Sequence, residues 1–325
     1  MKKVLITGAP GFAASHLAKL ILEKGNVELH GTKRVRSDMY RLEKLGIVDE
    51  IRYHLIEMTD PVSVFNVIKK VMPDRIYHLA AQDFVRSSWD TPHETFATNV
   101  NGTINLYQAI RQCYTGVLDT CRFPKVLVTS TSETYGYHKD SINEFTKQKP
   151  LNPYAISKLS QEMLAGLYSK AYGIPTVITR AFNLTGWGRN DPFVDSNFAK
   201  QIVQIKRYGR DPVIKHGNLE ARRAFFDVKD AVRGYYLAME SKFQDGDVFC
   251  FGPEESTCVL DLINMMVELS GVNITLQQEE SRMRPVDTPD MVCDASKAQM
   301  DLGWETIIPL RESLADLLRY WEGRV

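Results

Sequence analysis

Tyr154 and Lys158 stand four residues apart in the run Asn152-Pro153-Tyr154-Ala155-Ile156-Ser157-Lys158, a spacing that places a phenol and an ammonium on one face of a helix. A nearby cation favours phenolate, so such a tyrosine can exchange a proton well below the ordinary phenol value of about 10. That suits proton exchange coupled to hydride transfer. In isolation the pattern fits a solvated helix face better, because both residues are common at surfaces. Its meaning depends on the motifs around it.

The first of these is at the N-terminus, where the apolar run from Lys3 to Thr7 breaks into Gly8-Ala9-Pro10-Gly11-Phe12-Ala13-Ala14 and then a helical pattern through Leu17, Leu20, Ile21 and Leu22. This reads as strand, glycine turn, helix. Gly8 and Gly11 permit a tight turn and close approach of backbone N–H groups to phosphate, and small Ala14 lets helix and strand pack closely. A second strand, Val27 to Gly31, leads into Thr32-Lys33-Arg34-Val35-Arg36, a loop without a carboxylate. An acid there would hold a ribose 2′-hydroxyl, whereas Lys33, Arg34 and Arg36 suit a 2′-phosphate, which points to NADP. A plain basic surface loop is the alternative. Glu28 lies inside the strand and substitutes poorly. After a further strand, His78-Leu79-Ala80-Ala81-Gln82 offers small residues against which a cofactor could lie, or equally an alanine-rich packing turn.

These residues need a scaffold, and composition bounds it. The 325 residues carry 40 Lys+Arg against 40 Asp+Glu and are 44% hydrophobic and 25% charged, as expected for a globular protein of one large or two coupled domains. No basic excess argues for nucleic acid. No apolar run is long enough to span a membrane and no signal-peptide pattern opens the chain, so a cytoplasmic protein is expected. The five cysteines form no CxxC and read as free thiols. The seven histidines show no HExxH spacing, so no metal site is expected.

Strand patterns at Ile51–Ile56, Arg75–Leu79, Lys125–Thr129 and Thr176–Arg180 alternate with amphipathic stretches such as Val62–Val71 and Gly102–Arg111. Alternation of this kind predicts an α/β fold, a Rossmann-type doubly wound parallel sheet with ligands at the carboxyl ends of its strands. The rhythm loosens near Arg180. Residues 1–180, with later segments at about 226–252 returning, are expected to form the cofactor domain, and 181–325 mainly a smaller C-terminal α/β substrate domain.

Taken together, the motifs resemble the extended short-chain dehydrogenase/reductase family along essentially the whole chain. The resemblance rests on Thr7 to Phe12, His78 to Ala81, Asn99-Val100-Asn101-Gly102-Thr103, the Tyr154/Lys158 pair, and Asp294-x-Ser-Lys with Leu302-Gly303-Trp304. Within the family the chain is most similar to the branch acting on GDP-mannose and its products, through Ala80-Ala81-Gln82, Ser130 to Glu133, Arg180 to Asn183, Gly217-Asn218-Leu219 with Arg223, and Arg284-Pro285. The resemblance implies NADP, a GDP-sugar substrate and a homodimer or homotetramer. It gives Tyr154 the proton of the sugar C4 hydroxyl. Lys158 would depress the tyrosine pKa and hold the nicotinamide ribose, and Thr131, on the loop after the fifth strand, would bond the same hydroxyl. Leu79, Ala80 and Ala81 would line the cofactor. Asn183, Arg223 and Arg284 match positions that hold the diphosphate, and Asp83, Asn218 and Asp287 are assigned to the same substrate site.

The branch holds both 4,6-dehydratases and 4-keto reductases. A dehydratase oxidises C4, removes the C5 proton, expels the C6 hydroxyl and returns hydride to C6, steps that need a carboxylate acting first as base and then as acid. Glu133 stands where that base is expected, so the leading expectation is GDP-mannose 4,6-dehydratase. Reductases can carry the same carboxylate, and a solvated loop glutamate is the bland reading. A GDP-4-keto-6-deoxymannose reductase is the runner-up, followed by an epimerase or a non-catalytic NADP-binding module. The chain departs from the dehydratase pattern in several places: Asp83 replaces the serine of the dehydratases, Ala224 follows Arg223 where relatives have Asp, Leu184 to Arg189 differs, and Asp195 to Gln201 with Phe226 to Asp230 is closer to the reductases.

Overall fold

The computed structural model describes residues 1–115, 123–283, 286 and 288–325. Two compact units divide the chain: Met1–Thr134, Pro150–Arg180 and Val232–Phe249 form the first, and Tyr135–Lys149, Ala181–Ala231 and Cys250–Val325 the second.

The first unit is built on strands β1 (Lys2–Thr7), β2 (Val27–Lys33), β3 (Arg52–Leu55), β4 (Arg75–His78), β5 (Lys125–Thr131) and β6 (Thr176–Ala181). With Asp247–Phe251 they make a seven-stranded sheet in the order Asp247–Phe251, β6, β5, β4, β1, β2, β3. The β1–β2, β1–β4, β2–β3 and β4–β5 pairs run parallel. Because β1 pairs with both β2 and β4, the chain winds outward in two directions and leaves a switch point at the ends of β1 and β4, at Thr7 and His78. Val4, Leu5 and Ile6 are buried on both sheet faces, which is why β1 reads as a continuous apolar run rather than an alternating one. The helix Pro61–Val71 begins where Asp60 accepts from Val62 N at 3.0 Å with Pro61 in the first turn, a favoured start. It packs Val64, Val67, Ile68 and Val71 into a core with Leu106, Tyr107 and Ile110 of the helix Gly102–Tyr114 and with Leu5, Ile76, Val126 and Val128 of the sheet.

In the second unit, Asn183–Thr185 pairs in parallel with Phe225–Asp227, Arg222–Arg223 antiparallel with Thr257–Cys258, and Val213–His216 in parallel with Thr275–Gln278. Trp304 anchors it. The ring is fully buried, lies 4.8 Å from the Phe251 ring and donates from Nε1 to Asp230 O at 2.8 Å.

Three boundaries differ from the sequence expectation. β2 runs on to Lys33 and β5 to Thr131, so these residues sit at strand ends rather than in loops; Lys33 stays in register opposite Leu55. The segment Tyr135–Lys149 belongs to the second unit, because Ile142 N donates to Val292 O and Asp294 N to Ile142 O at 2.9 and 2.8 Å. The segment that returns to the first unit is Val232–Phe249, inside the expected stretch of about 226–252.

Candidate active site

The glycine turn is held by sterics and by one hydroxyl. Gly8 has φ +71°, and a Cβ there would stand 3.1 Å from the Ala80 Cα, so only glycine lets the two loops close. A Cβ on Gly31 would meet Ala9 at 2.7 Å. Thr7 Oγ1 accepts from Leu79 N and Ala80 N at 3.1 and 3.0 Å and lies 2.9 Å from His78 Nδ1. With its lone pairs taken by backbone donors, the Thr7 hydroxyl gives its proton to Nδ1. His78 is therefore the Nε2–H tautomer and donates to Thr103 Oγ1 at 3.1 Å, which in turn donates to Asn99 O at 2.6 Å. Burial pushes the His78 pKa down to about 3, with the Lys158 charge adding to it. The imidazole is a neutral strut at working pH.

The helix Phe12–Lys24 begins at Gly11 with no side-chain cap and no acid in its first turn, leaving its amide end suited to an anion. Phe12 and Ala14 are buried under it. Beyond β2, Arg34 and Arg36 are exposed and Lys33 Nζ lies 5.3 Å over the Tyr53 ring. Asp38, the first acid after β2, accepts from Tyr40 N at 3.0 Å. The sequence reading missed Arg41, a buried guanidinium that donates to Pro10 O at 3.2 Å and braces the glycine turn from the basic loop. Glycines without room for a Cβ, an uncapped helix end and clustered cations fit a dinucleotide carrying an extra phosphate.

Tyr154 and Lys158 share the helix Pro153–Tyr172, and both are buried. Lys158 Nζ donates to Gln161 Oε1 at 2.5 Å. Burial pushes the Lys158 pKa down to about 8, while the Glu162 and Asp83 carboxylates oppose the shift. Asn99 ties this helix to the β4 loop: its Nδ2 donates to Ser157 Oγ at 2.9 Å and to Gln82 O at 3.0 Å, and Ser157 donates to Tyr154 O at 2.7 Å. The hydrogen-bond chain thus runs from Thr7 through His78, Thr103, Asn99 and Ser157 to the tyrosine's own backbone. Thr131 ends β5, and its Oγ1 accepts from Glu133 N at 3.3 Å. Glu133 is half-buried, and its Oε2 accepts from Asn152 Nδ2 at 3.0 Å. All four catalytic candidates, and Leu79, Ala80, Ala81 and Asp83, belong to the first unit.

The remaining substrate candidates among the described residues fall in the second unit. Arg223 is buried and donates from NH1 to Arg222 O and Thr288 O at 2.7 and 2.6 Å. Asn183 N donates to Ala224 O at 3.1 Å, and Asn218 Oδ1 accepts from Glu220 N at 3.0 Å. Ala224 is fully buried, so the acid found there in relatives would carry a desolvation cost in this chain. Arg284 and Asp287 lie outside the described residues. No group of histidine, cysteine or acidic side chains among the described residues is arranged to hold a metal.

A sheet that switches direction over a glycine turn, with Tyr-x-x-x-Lys on the helix after β5, defines an extended short-chain dehydrogenase/reductase. Within that class the chain belongs to the GDP-mannose 4,6 dehydratase family, matching it over residues 5–317. It is 29% identical over 278 residues to GDP-6-deoxy-D-mannose reductase of Pseudomonas aeruginosa, covering 84% of this chain and 88% of that one. Against GDP-mannose 4,6-dehydratase of Sinorhizobium fredii the identity is 27% over 344 residues, covering 98% and 96%. The fold matches RMD from Pseudomonas aeruginosa complexed with NADPH at a TM-score of 0.83, with 24% identity and 100% of each chain covered.

Proposed function

We propose that this protein is an NADP-dependent GDP-mannose 4,6-dehydratase. The observation that carries the reading is Glu133, a carboxylate two residues past Thr131 that accepts from Asn152, the N-cap of the Tyr154 helix. An acid–base group held by the residue that caps the Tyr154 helix is what an elimination requires and a simple reduction does not. Bound NADP would supply the hydride acceptor and donor. Gly8, Gly11 and the amide end of Phe12–Lys24 would hold its pyrophosphate, Lys33, Arg34 and Arg36 its 2′-phosphate, and Lys158 its nicotinamide ribose. Tyr154 exchanges the proton at the C4 oxygen, with Thr131 hydrogen-bonded to the same oxygen. Glu133 takes the C5 proton and passes it to the departing C6 hydroxyl, which leaves as water; when hydride would return to C6, the proton that Tyr154 took from the C4 hydroxyl goes back to C5, so the net change is loss of one water. Asn183, Arg223 and Arg284 would bind the diphosphate through N–H donors.

The second reading, reduction of GDP-4-keto-6-deoxymannose, is favoured by the match to the Pseudomonas reductase and uses the same Tyr154 proton without Glu133 chemistry. Incubation with GDP-mannose and catalytic NADP, followed by mass spectrometry, separates the two. Loss of one water supports the dehydratase. An untouched GDP-mannose, with NADPH consumed against the 4-keto sugar, establishes the reductase.

A homodimer or homotetramer fits the exposed stripe of Ile156, Met163 and Leu167 on Pro153–Tyr172. Sedimentation measures it. The four described cysteines are free thiols, which agrees with a reducing compartment such as the cytoplasm.

A further inference from the structure

Asn152 makes two hydrogen bonds that serve different ends. As the N-cap of Pro153–Tyr172 its Oδ1 accepts from Ala155 N at 2.8 Å. Its Nδ2 donates to Glu133 Oε2 at 3.0 Å. The residue is 8% exposed, so water competes weakly for either bond. Capping needs only an acceptor, which serine or aspartate supplies about as well. The amide donor is surplus to the cap.

We propose that Asn152 is a positioning residue for the elimination step, fixing the Glu133 carboxylate relative to Tyr154 two residues further on. The inference rests on the dehydratase reading. A glutamate on a short turn after a strand has several rotamers, and taking a proton from C5 and then giving it to the C6 hydroxyl tolerates little misplacement. Binding it to the capping residue of a helix removes that freedom. A lysine or arginine would also orient the carboxylate but would offset its charge, making it a poorer base. A neutral amide orients it without adding a charge beside it. Thr131, Glu133, Asn152 and Tyr154 thereby form one unit: Thr131 Oγ1 holds the Glu133 backbone, Asn152 its side chain, and the helix carries Tyr154.

Asn152→Asp keeps a capping acceptor, has no donor and adds repulsion, whereas Asn152→Ser keeps the acceptor and replaces the amide donor by a hydroxyl one bond nearer the backbone, short of Glu133. In single turnover with GDP-mannose and NADP in deuterated water, two signals are read: nicotinamide reduction for C4 oxidation, and deuterium at C5 with water release for the elimination. The expected result is elimination slowed roughly 10- to 100-fold, more in the aspartate than in the serine variant, with C4 oxidation little changed. Equal slowing of both steps, or slowing of neither, overturns the proposal. A readout independent of turnover is the unfolding midpoint of Asn152→Ser, Glu133→Ala and the double variant, in which the paired residues should couple. Additive shifts overturn the contact. Coupled midpoints with no water loss by the unmodified protein would remove the dehydratase reading and leave the placement of Glu133 standing.

Discussion

The Lys158 ammonium donates to Gln161 Oε1 across 2.5 Å in an almost fully buried position, so the cation proposed to activate Tyr154 is held at a cost in solvation. Burial sets its pKa near 8, against about 10.4 in an unfolded chain. Between those values the unfolded chain binds more protons, so stability rises with pH from about 8 upward, and the destabilisation is fully present below 8. Two outcomes are expected. NADP affinity falls as pH rises through about 8 in the unmodified protein and loses that dependence in Lys158→Met. The same variant, though inactive, melts no lower than the parent at pH 7. Calorimetry at several pH values and thermal unfolding check both, and a clear drop in melting temperature would contradict the account.

Glu162, one turn beyond Lys158, is also buried and takes NE and NH2 of Arg180, with 2.7 Å to NH2; Ser130 Oγ donates to the same carboxylate. Removing one partner strands a buried charge, which typically costs about 3 to 5 kcal/mol. Arg180→Met should therefore lower the unfolding free energy by about that much, measured in urea, whereas the double change Arg180→Met with Glu162→Leu should recover a large part of it. A double variant as unstable as the single one would argue against stranded charge as the cause.

The parts of the site legible in the sequence share a property: they obey local rules. Gly8 needs a left-handed backbone, Tyr154 and Lys158 are set by helical spacing, and Val4 to Ile6 announce a strand buried on both faces. What the sequence left dark is what only the fold brings together. Thr7, Asn99 and Ser157 are ordinary polar residues until β1, β4 and the Tyr154 helix converge. Arg41 looks like a surface residue of a short helix until Pro10 is found against it. Asn152 was readable as a cap before a proline, but its second bond spans to Glu133, 19 positions away. The assignment of 135–149 to the second unit depends on pairing of Ile142 with Cys293, for which no local pattern exists.

Arg34 and Arg36 project from the end of β2 into solvent, and no ion pair with a carboxylate is found for them among the described residues. NADP(H) should bind more tightly than NAD(H), and Arg34→Ala with Arg36→Ala should erase most of the preference. Roughly a tenfold loss of NADP(H) affinity per arginine is expected, because hydrogen bonds to charged groups are the strong ones. NAD(H) affinity should barely move. Tighter binding of NAD(H) by the unmodified protein, measured calorimetrically, would sink the assignment.

Arg223 has a structural task as well as its proposed ligand. Its NH1 holds Arg222 O and Thr288 O, so Arg223→Leu should weaken GDP and GDP-mannose binding and also lower stability by about 1 to 3 kcal/mol from the carbonyls left unpaired. NADP(H) affinity should be unchanged. A fall in NADP(H) affinity with GDP binding intact would mean the arginine serves the other ligand.

Glu133 and Tyr154 are expected to fail differently, because they serve different protons. Tyr154→Phe removes the hydroxyl proposed to exchange the C4 proton, a step common to oxidation and reduction, and should cut turnover about 100-fold or more in either direction. Glu133→Gln keeps size and an acceptor for Asn152 Nδ2 but cannot take the C5 proton. In a dehydratase it should still oxidise C4 while neither incorporating solvent deuterium at C5 nor releasing water. A reductase would keep substantial turnover of the 4-keto sugar with the same change. Deuterium at C5 is the sharper observable, since it reports proton removal even when the later loss of the C6 hydroxyl is slow. Should Glu133→Gln exchange that deuterium at the parent's rate, another group is the base, and the half-buried carboxylate beside Asn152 is only structural.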